Sequence, residues 1–342
     1  MPFAPDLVSA HPGERTMKLV SFEVSTSIGP VIRIGAVADR GYLDLNAAYR
    51  HFLVSIDATP EAAQRIADAV IPSSMVAFIQ GGPVSLDVAN QAIAHASAAD
   101  LGDLPQVWYA PDAVRLLPPV PKPPVLRDFM AFETHLKNIY PKLGREIPAE
   151  WYNLPIYYKG NVNSLGTDGD DVPMPYGVQE LDYEFELAYV IGRGGKDIAP
   201  EAAMDHVFGY MIYNDFSERV IQGREMSVGL GPAKGKDFHN AHVFGPYLVT
   251  KDEIADPYNL ALTLRINGET IMKEHSGSMH WKIADMIAHA SRAERLVPGE
   301  IFGTGTVGNG SGAERGVLLQ PGDVIELEAT GLGVLRNRVV AG

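Results

Sequence analysis

Residues 181–188 read Leu-Asp-Tyr-Glu-Phe-Glu-Leu-Ala, an alternation of acids with large apolar side chains. As a β-strand this sequence sends successive side chains to opposite faces. Asp182, Glu184 and Glu186 then share one face, and Tyr183, Phe185 and Leu187 the other. Neighbouring carboxylates repel unless positive charge lies between them, and a divalent cation that prefers oxygen ligands supplies it. The alternative is a half-exposed strand whose acidic face is simply wet.

The rest of the chain narrows the choice. At 342 residues with 46% hydrophobic content, it can bury a large core in one or two domains. The net charge of −14 argues against nucleic acid and anionic membranes as partners, though not against a small anionic substrate. The chain has no cysteine, so thiolate nucleophiles, disulfides and thiolate metal sites are excluded. No apolar run approaches a bilayer span. Residues 1–16 lack a signal-peptide pattern, which makes the cytoplasm the expected location.

Residues 1–16 read as a flexible arm. Residues 17–120 read as a small α+β domain: a hairpin over 19–37, helices over 43–53 and 60–69, and a helix over 85–98 with Ser85 as its cap. The proline cluster at 117–124 reads as an extended linker, which puts a boundary near residue 120. Residues 121–342 read as a second domain, mainly β within an α+β class. Short strands are expected over 183–191, 207–212, 243–249, 260–266 and 324–329, with helices over 132–140, 200–206 and 283–292.

Asp128, Glu184, Glu186 and Asp215 form an all-oxygen set suited to Mg²⁺, with Mn²⁺ or Ca²⁺ as alternatives. His135 stands in a segment that also reads as an ordinary helix surface, and Glu314 in one that reads as a solvated loop.

Ordered motifs between residues 126 and 333 resemble the fumarylacetoacetate hydrolase family. They are Asp-Phe-x5-His from Asp128, Asp-Tyr-Glu-x-Glu-Leu from Asp182, and Gly-Tyr-x3-Asn-Asp-x-Ser-x-Arg from Gly209. Gly-Lys-x-Phe from Gly235, Gly-Thr-Gly-Thr-Val from Gly303 and a Pro-Gly-Asp-Val-Ile-Glu tail follow. The resemblance implies a mixed β-sandwich roll, a homodimer, and metal ligation by Asp128, Glu184, Glu186 and Asp215. It implies that His135 activates water, partnered by Glu314 or, failing that, Glu326. Lys236 and Gln222 match residues that polarise the substrate carbonyl or stabilise the leaving carbanion. Tyr158 and Thr306 match substrate contacts, and Arg219 holds charge nearby. Met130, His239 and Asn240 depart from the family pattern at positions close to the substrate, which points to a different acyl group. The implied activity is metal-dependent hydrolysis of a carbon–carbon bond in an acylpyruvate or other β-diketo acid, in aromatic or amino-acid catabolism. A decarboxylase, hydratase or enol–keto isomerase on the same scaffold is the second expectation, and a non-catalytic carboxylate-binding protein the third.

Overall fold

The computed structural model describes residues 17–99, 106–178 and 180–342; the expected arm at 1–16 lies outside the described residues. Among these residues, twelve strands form one mixed sheet and five form another. Through the centre of the large sheet run Lys18–Thr26, His242–Thr250, Val207–Asp215, Phe185–Ile191, Ile301–Gly303 and Leu126–Phe129, in that spatial order. The last two pair in parallel and the others antiparallel.

The central strands are apolar on both faces because both are covered. Leu187, Tyr189 and Ile191 join Leu262, Leu264, Ile325 and Leu335 of the five-stranded sheet in one core. Ala188 and Val190 join Leu45, Ala48, Phe78 and Ala89, from the helices Leu45–Ser55, Met75–Gln80 and Gly82–Ala98, in the other. Each large apolar side chain buried this way contributes about 1.5–3 kcal/mol. The architecture is α+β with the sheets dominant.

The hairpin is present as Lys18–Thr26 and Gly29–Ala38. The helix Pro60–Val70 begins where Thr59 accepts from Ala62 N at 3.3 Å, with proline in its first turn. Ser85, expected to cap a helix, instead lies inside Gly82–Ala98 and donates to Val70 O at 3.1 Å. Segments on the two sides of residue 120 are in contact. Lys18 and Leu19 pair with Val249 and Leu248, and Ser21 Oγ donates to Pro119 O at 2.9 Å.

The strand expected from residue 183 starts only at Phe185. Asp182 and Glu184 sit in isolated bridges to Ser217 and Ser311. The wet-face alternative fails outright: Asp182, Glu184 and Glu186 are 1%, 6% and 1% exposed.

Candidate active site

Asp128, Glu186 and Asp215 come from three strands of the large sheet: Leu126–Phe129, Phe185–Ile191 and Val207–Asp215. Their alternation puts all three on one face, and one carboxylate oxygen of each lies within 4.8 Å of the others. Glycine makes the room. Gly303 stands beside Asp128 in the parallel register, and a Cβ there would come within 2.6 Å of Asp128 Oδ1 and 2.9 Å of the Tyr213 ring. The following turn passes over the trio with Gly305 at φ +84°. Gly305 N donates to Glu186 Oε2 at 2.9 Å, and the Thr306 hydroxyl lies 3.4 Å from Glu186 Oε1.

This cluster has the electrostatics of a cation site. Burial, and then the charge of Asp215, pushes the Asp128 carboxyl well above its ordinary range. Burial and the charge of Asp128 do the same to Glu186. Asp128 Oδ1 is buried and accepts no hydrogen bond, and Asp215 Oδ1 has only His242 Nδ1 near it, at 3.2 Å. Buried charged oxygens without partners are costly. A hard divalent cation satisfies such oxygens together, so the residues fit the expected metal.

Glu184 lies outside this trio in the structure. Its carboxylate accepts from Arg219 Nη2 at 2.7 Å and from Lys236 Nζ. Burial opposes its ionisation, but Arg219 and Lys236 outweigh that and hold it down at about 2. Lys236 also donates to Asp215 Oδ2. It stays charged because Asp215 and Glu184 outweigh the cost of its burial. Asp215 Oδ2 further accepts from Tyr158 OH at 2.8 Å. Burial alone would raise Asp215, but Lys236 and His242 draw it well below the usual carboxylate range.

His135 projects from the short helix Glu133–Ile139, and Glu314 from Gly312–Arg315. His135 Nδ1 lies 3.0 Å from Glu314 Oε2, close but out of line for a strong hydrogen bond. Glu314 is well anchored. Oε1 accepts from Asn138 Nδ2 and Asn309 N, both at 2.9 Å, and Oε2 accepts from Ser311 N at 3.1 Å in a capping box. Burial opposes its charge, but His135, Asn138 and the Asn309 amide keep the carboxyl below its usual value. Glu326, the fallback partner, is engaged elsewhere, accepting from Arg336 Nε at 2.6 Å.

Gln222 accepts from Arg219 Nη1 at 2.9 Å, so its carbonyl oxygen serves the arginine. Met130 is half-buried, next to the Gly305 turn, and its own carbonyl accepts from Trp151 Nε1 at 2.8 Å. His239 and Asn240, expected near the substrate, find partners in the segment around Asp170. His239 is exposed beside Asp170, and the Asn240 amide donates to Asp171 O at 3.0 Å. Adjacency to the Lys236 motif suggested them, but Asn240 takes a left-handed conformation at φ 55° and turns the chain.

Two further residues of the site were assigned no role from the sequence. His242 is fully buried, 3.2 Å from Asp215 Oδ1 and 2.8 Å from Tyr213 OH. Burial opposes its protonation, yet Asp215 and Asp237 raise its pKa overall. Asp182 accepts from Arg219 Nε at 2.6 Å and from Gly312 N at 2.7 Å.

Comparison with known proteins defines the class. Residues 124–340 match the family described as "Fumarylacetoacetate (FAA) hydrolase C-terminal", and the chain belongs to the fumarylacetoacetate hydrolase family. It is 33% identical over 328 residues to the human protein named "Oxaloacetate tautomerase FAHD2A, mitochondrial", covering 95% of this chain and 92% of that one. The fold is similar to that of a maleylpyruvate hydrolase from Sphingobium sp. SYK-6, solved with manganese(II) and pyruvate. The TM-score is 0.67 at 25% identity, over 95% of this chain and all of that one. A fumarylacetoacetate hydrolase from Exiguobacterium antarcticum gives the same TM-score, identity and coverage. Among the described residues no helix is long and apolar enough to cross a membrane.

Proposed function

We propose that this protein hydrolyses the carbon–carbon bond of an acylpyruvate or related β-diketo acid in a reaction dependent on a divalent cation. The observation that carries the reading is His135 facing the anchored Glu314 at 3.0 Å, near enough to Glu184 for its charge to act on that carboxylate. Asp128, Glu186 and Asp215 would hold the cation, which when bound supplies a Lewis acid and a template for the two neighbouring oxygens of a 2-oxo acid.

The protein's own groups do the rest. Glu314 favours the tautomer with the proton on Nδ1, which leaves Nε2 of His135 to take a proton from water. The resulting hydroxide attacks the acyl carbonyl, and the Lys236 ammonium stabilises the oxyanion that forms. The bond from that carbon to the central methylene carbon then breaks. The acyl group leaves as a carboxylic acid, and the methylene carbon recovers the proton carried by His135, giving pyruvate. Water is consumed and no redox partner is needed.

A second reading is favoured by one observation, the 33% identity over nearly the whole chain to a protein named for oxaloacetate tautomerisation. Under it, His135 moves a proton between carbon and oxygen of an enol, and no carbon–carbon bond breaks. Fumarylpyruvate, acetylpyruvate, fumarylacetoacetate and enol-oxaloacetate, each with Mn²⁺ or Mg²⁺ and again after chelation, separate the two. Loss of enol absorbance with a free acid and pyruvate or acetoacetate as products supports hydrolysis. Accelerated enol loss from oxaloacetate alone, with all carbons retained, supports tautomerisation and overturns the hydrolase reading.

A further inference from the structure

We propose that Asp182 is a positioning residue for the His135–Glu314 pair, holding Glu314 in place and joining it to the cation site through a line of alternating charge. The proposal rests on the role given to that pair above. The segment that bears Glu314 is a helix of four residues, Gly312–Arg315, far too short to hold its own geometry. Its seat is the Asp182 carboxylate, just before the strand Phe185–Ile191. Oδ1 accepts from Gly312 N at 2.7 Å, and Oδ2 lies 3.1 Å from Ala313 N. The fit is tight, since a Cβ on Gly312 would lie 2.6 Å from Asp182 Oδ1. Asp182 is itself fixed. Its backbone exchanges both hydrogen bonds with Ser217, at 3.1 and 3.0 Å, and its side chain also accepts from Tyr183 N at 2.8 Å.

Arg219 then bridges outward, from Nε to Asp182 Oδ2 at 2.6 Å and from Nη2 to Glu184 Oε1 at 2.7 Å. Glu184 accepts from Lys236, which also bonds Asp215. The order Asp182, Arg219, Glu184, Lys236, Asp215 alternates in sign from the Glu314 helix to the cation site. An aspartate 1% exposed, spending its oxygens on backbone N–H groups and one guanidinium, is placed to set the distance between the two halves of the site. Small displacements of a catalytic group cost rate steeply, about a hundredfold for an ångström.

The test is a double-mutant cycle of Asp182→Asn with Glu314→Gln in the full chain. It is read by acylpyruvate cleavage, by Mn²⁺ calorimetry, and by the imidazole NMR signals of His135, assigned through their loss in His135→Asn. Asp182→Asn should lower kcat by about 10- to 100-fold while leaving KM and the Mn²⁺ Kd within about twofold. In the Glu314→Gln background the same change should cost less than about twofold, because both act on one unit. The His135 signals should move in the direction that Glu314→Gln moves them. Losses that multiply in full, or unmoved His135 signals, overturn the proposal. Should the wild type cleave no substrate, the functional reading fails, and the NMR comparison still decides the role of Asp182. Should Asp182→Asn not fold, Arg219→Lys, which keeps the charge but not the fork, replaces it in the same cycle with the same criteria.

Discussion

Asp128 and Glu186 face each other in a buried site, and their protonation links stability to pH. Without a cation both carboxyls titrate well above their ordinary values of 3.8 and 4.5. The folded state then binds more protons than the unfolded one, so stability falls as pH rises above about 4 toward the folded pKa values. Asp215 and Glu184 are shifted the other way, and their contribution is lost only in acid below about 4. The melting temperature of chelated protein should therefore drop as pH rises above about 4, and Mn²⁺ should restore it most at the upper end. Asp128→Asn should abolish the Mn²⁺ response in the same melts. A response that persists in that variant would place the cation elsewhere. His135→Ala should lower turnover by about 10²- to 10⁴-fold with Mn²⁺ affinity unchanged.

At this scale the sequence revealed residue types better than pairings. Alternation put Glu184 and Glu186 on one face, but partners supplied from residues 219 and 236 capture Glu184, and no local pattern shows that. Asp182 was read on the acidic face without a role and His242 was not singled out, because the partners of both lie far away in the sequence.

The element that most directly shapes the site is the turn after Ile301–Gly303. Gly305 sits at φ +84°, where a Cβ would come 2.5 Å from Phe129 O. Gly305→Ala should cost about 1–3 kcal/mol in stability. Because Gly305 N is a hydrogen-bond donor to Glu186, the same variant should also weaken Mn²⁺ binding in calorimetry. Unchanged affinity in a folded variant would show that the turn does not set Glu186. Elements with strong periodicity or clear caps were legible, such as Pro60–Val70 and the run ending at Asp215. Met75–Gln80 was not, since six residues carry less than two turns of pattern. Ser85 looked like a cap by residue type, yet the helix starts earlier, at Gly82.

Across the whole molecule, residues 17–99 and 106–120 are packed against the sheet that carries the site. Leu19, Ile34, Leu45 and Phe78 share a core with Val190, Met211, Leu248 and Ile301. Deleting residues 1–120 should strip the edge of His242–Thr250 and expose that core, giving aggregated or dye-binding protein rather than a stable fragment. A soluble, cooperatively melting fragment would contradict that. The proline cluster suggested a linker, and the pairing of Lys18 and Leu19 with Val249 and Leu248 across it is a long-range event that composition does not encode. The resemblance carried the fold class because its motifs kept their order along the chain.

The central claim is that His135 and the buried carboxylates act together to cleave a carbon–carbon bond. The most direct test is pyruvate release from fumarylpyruvate by the full chain with Mn²⁺, beside His135→Ala and a chelated control. The account predicts stoichiometric pyruvate and fumarate from the wild type, and almost none from the other two. Enol loss without pyruvate, or pyruvate release that survives His135→Ala, would contradict it.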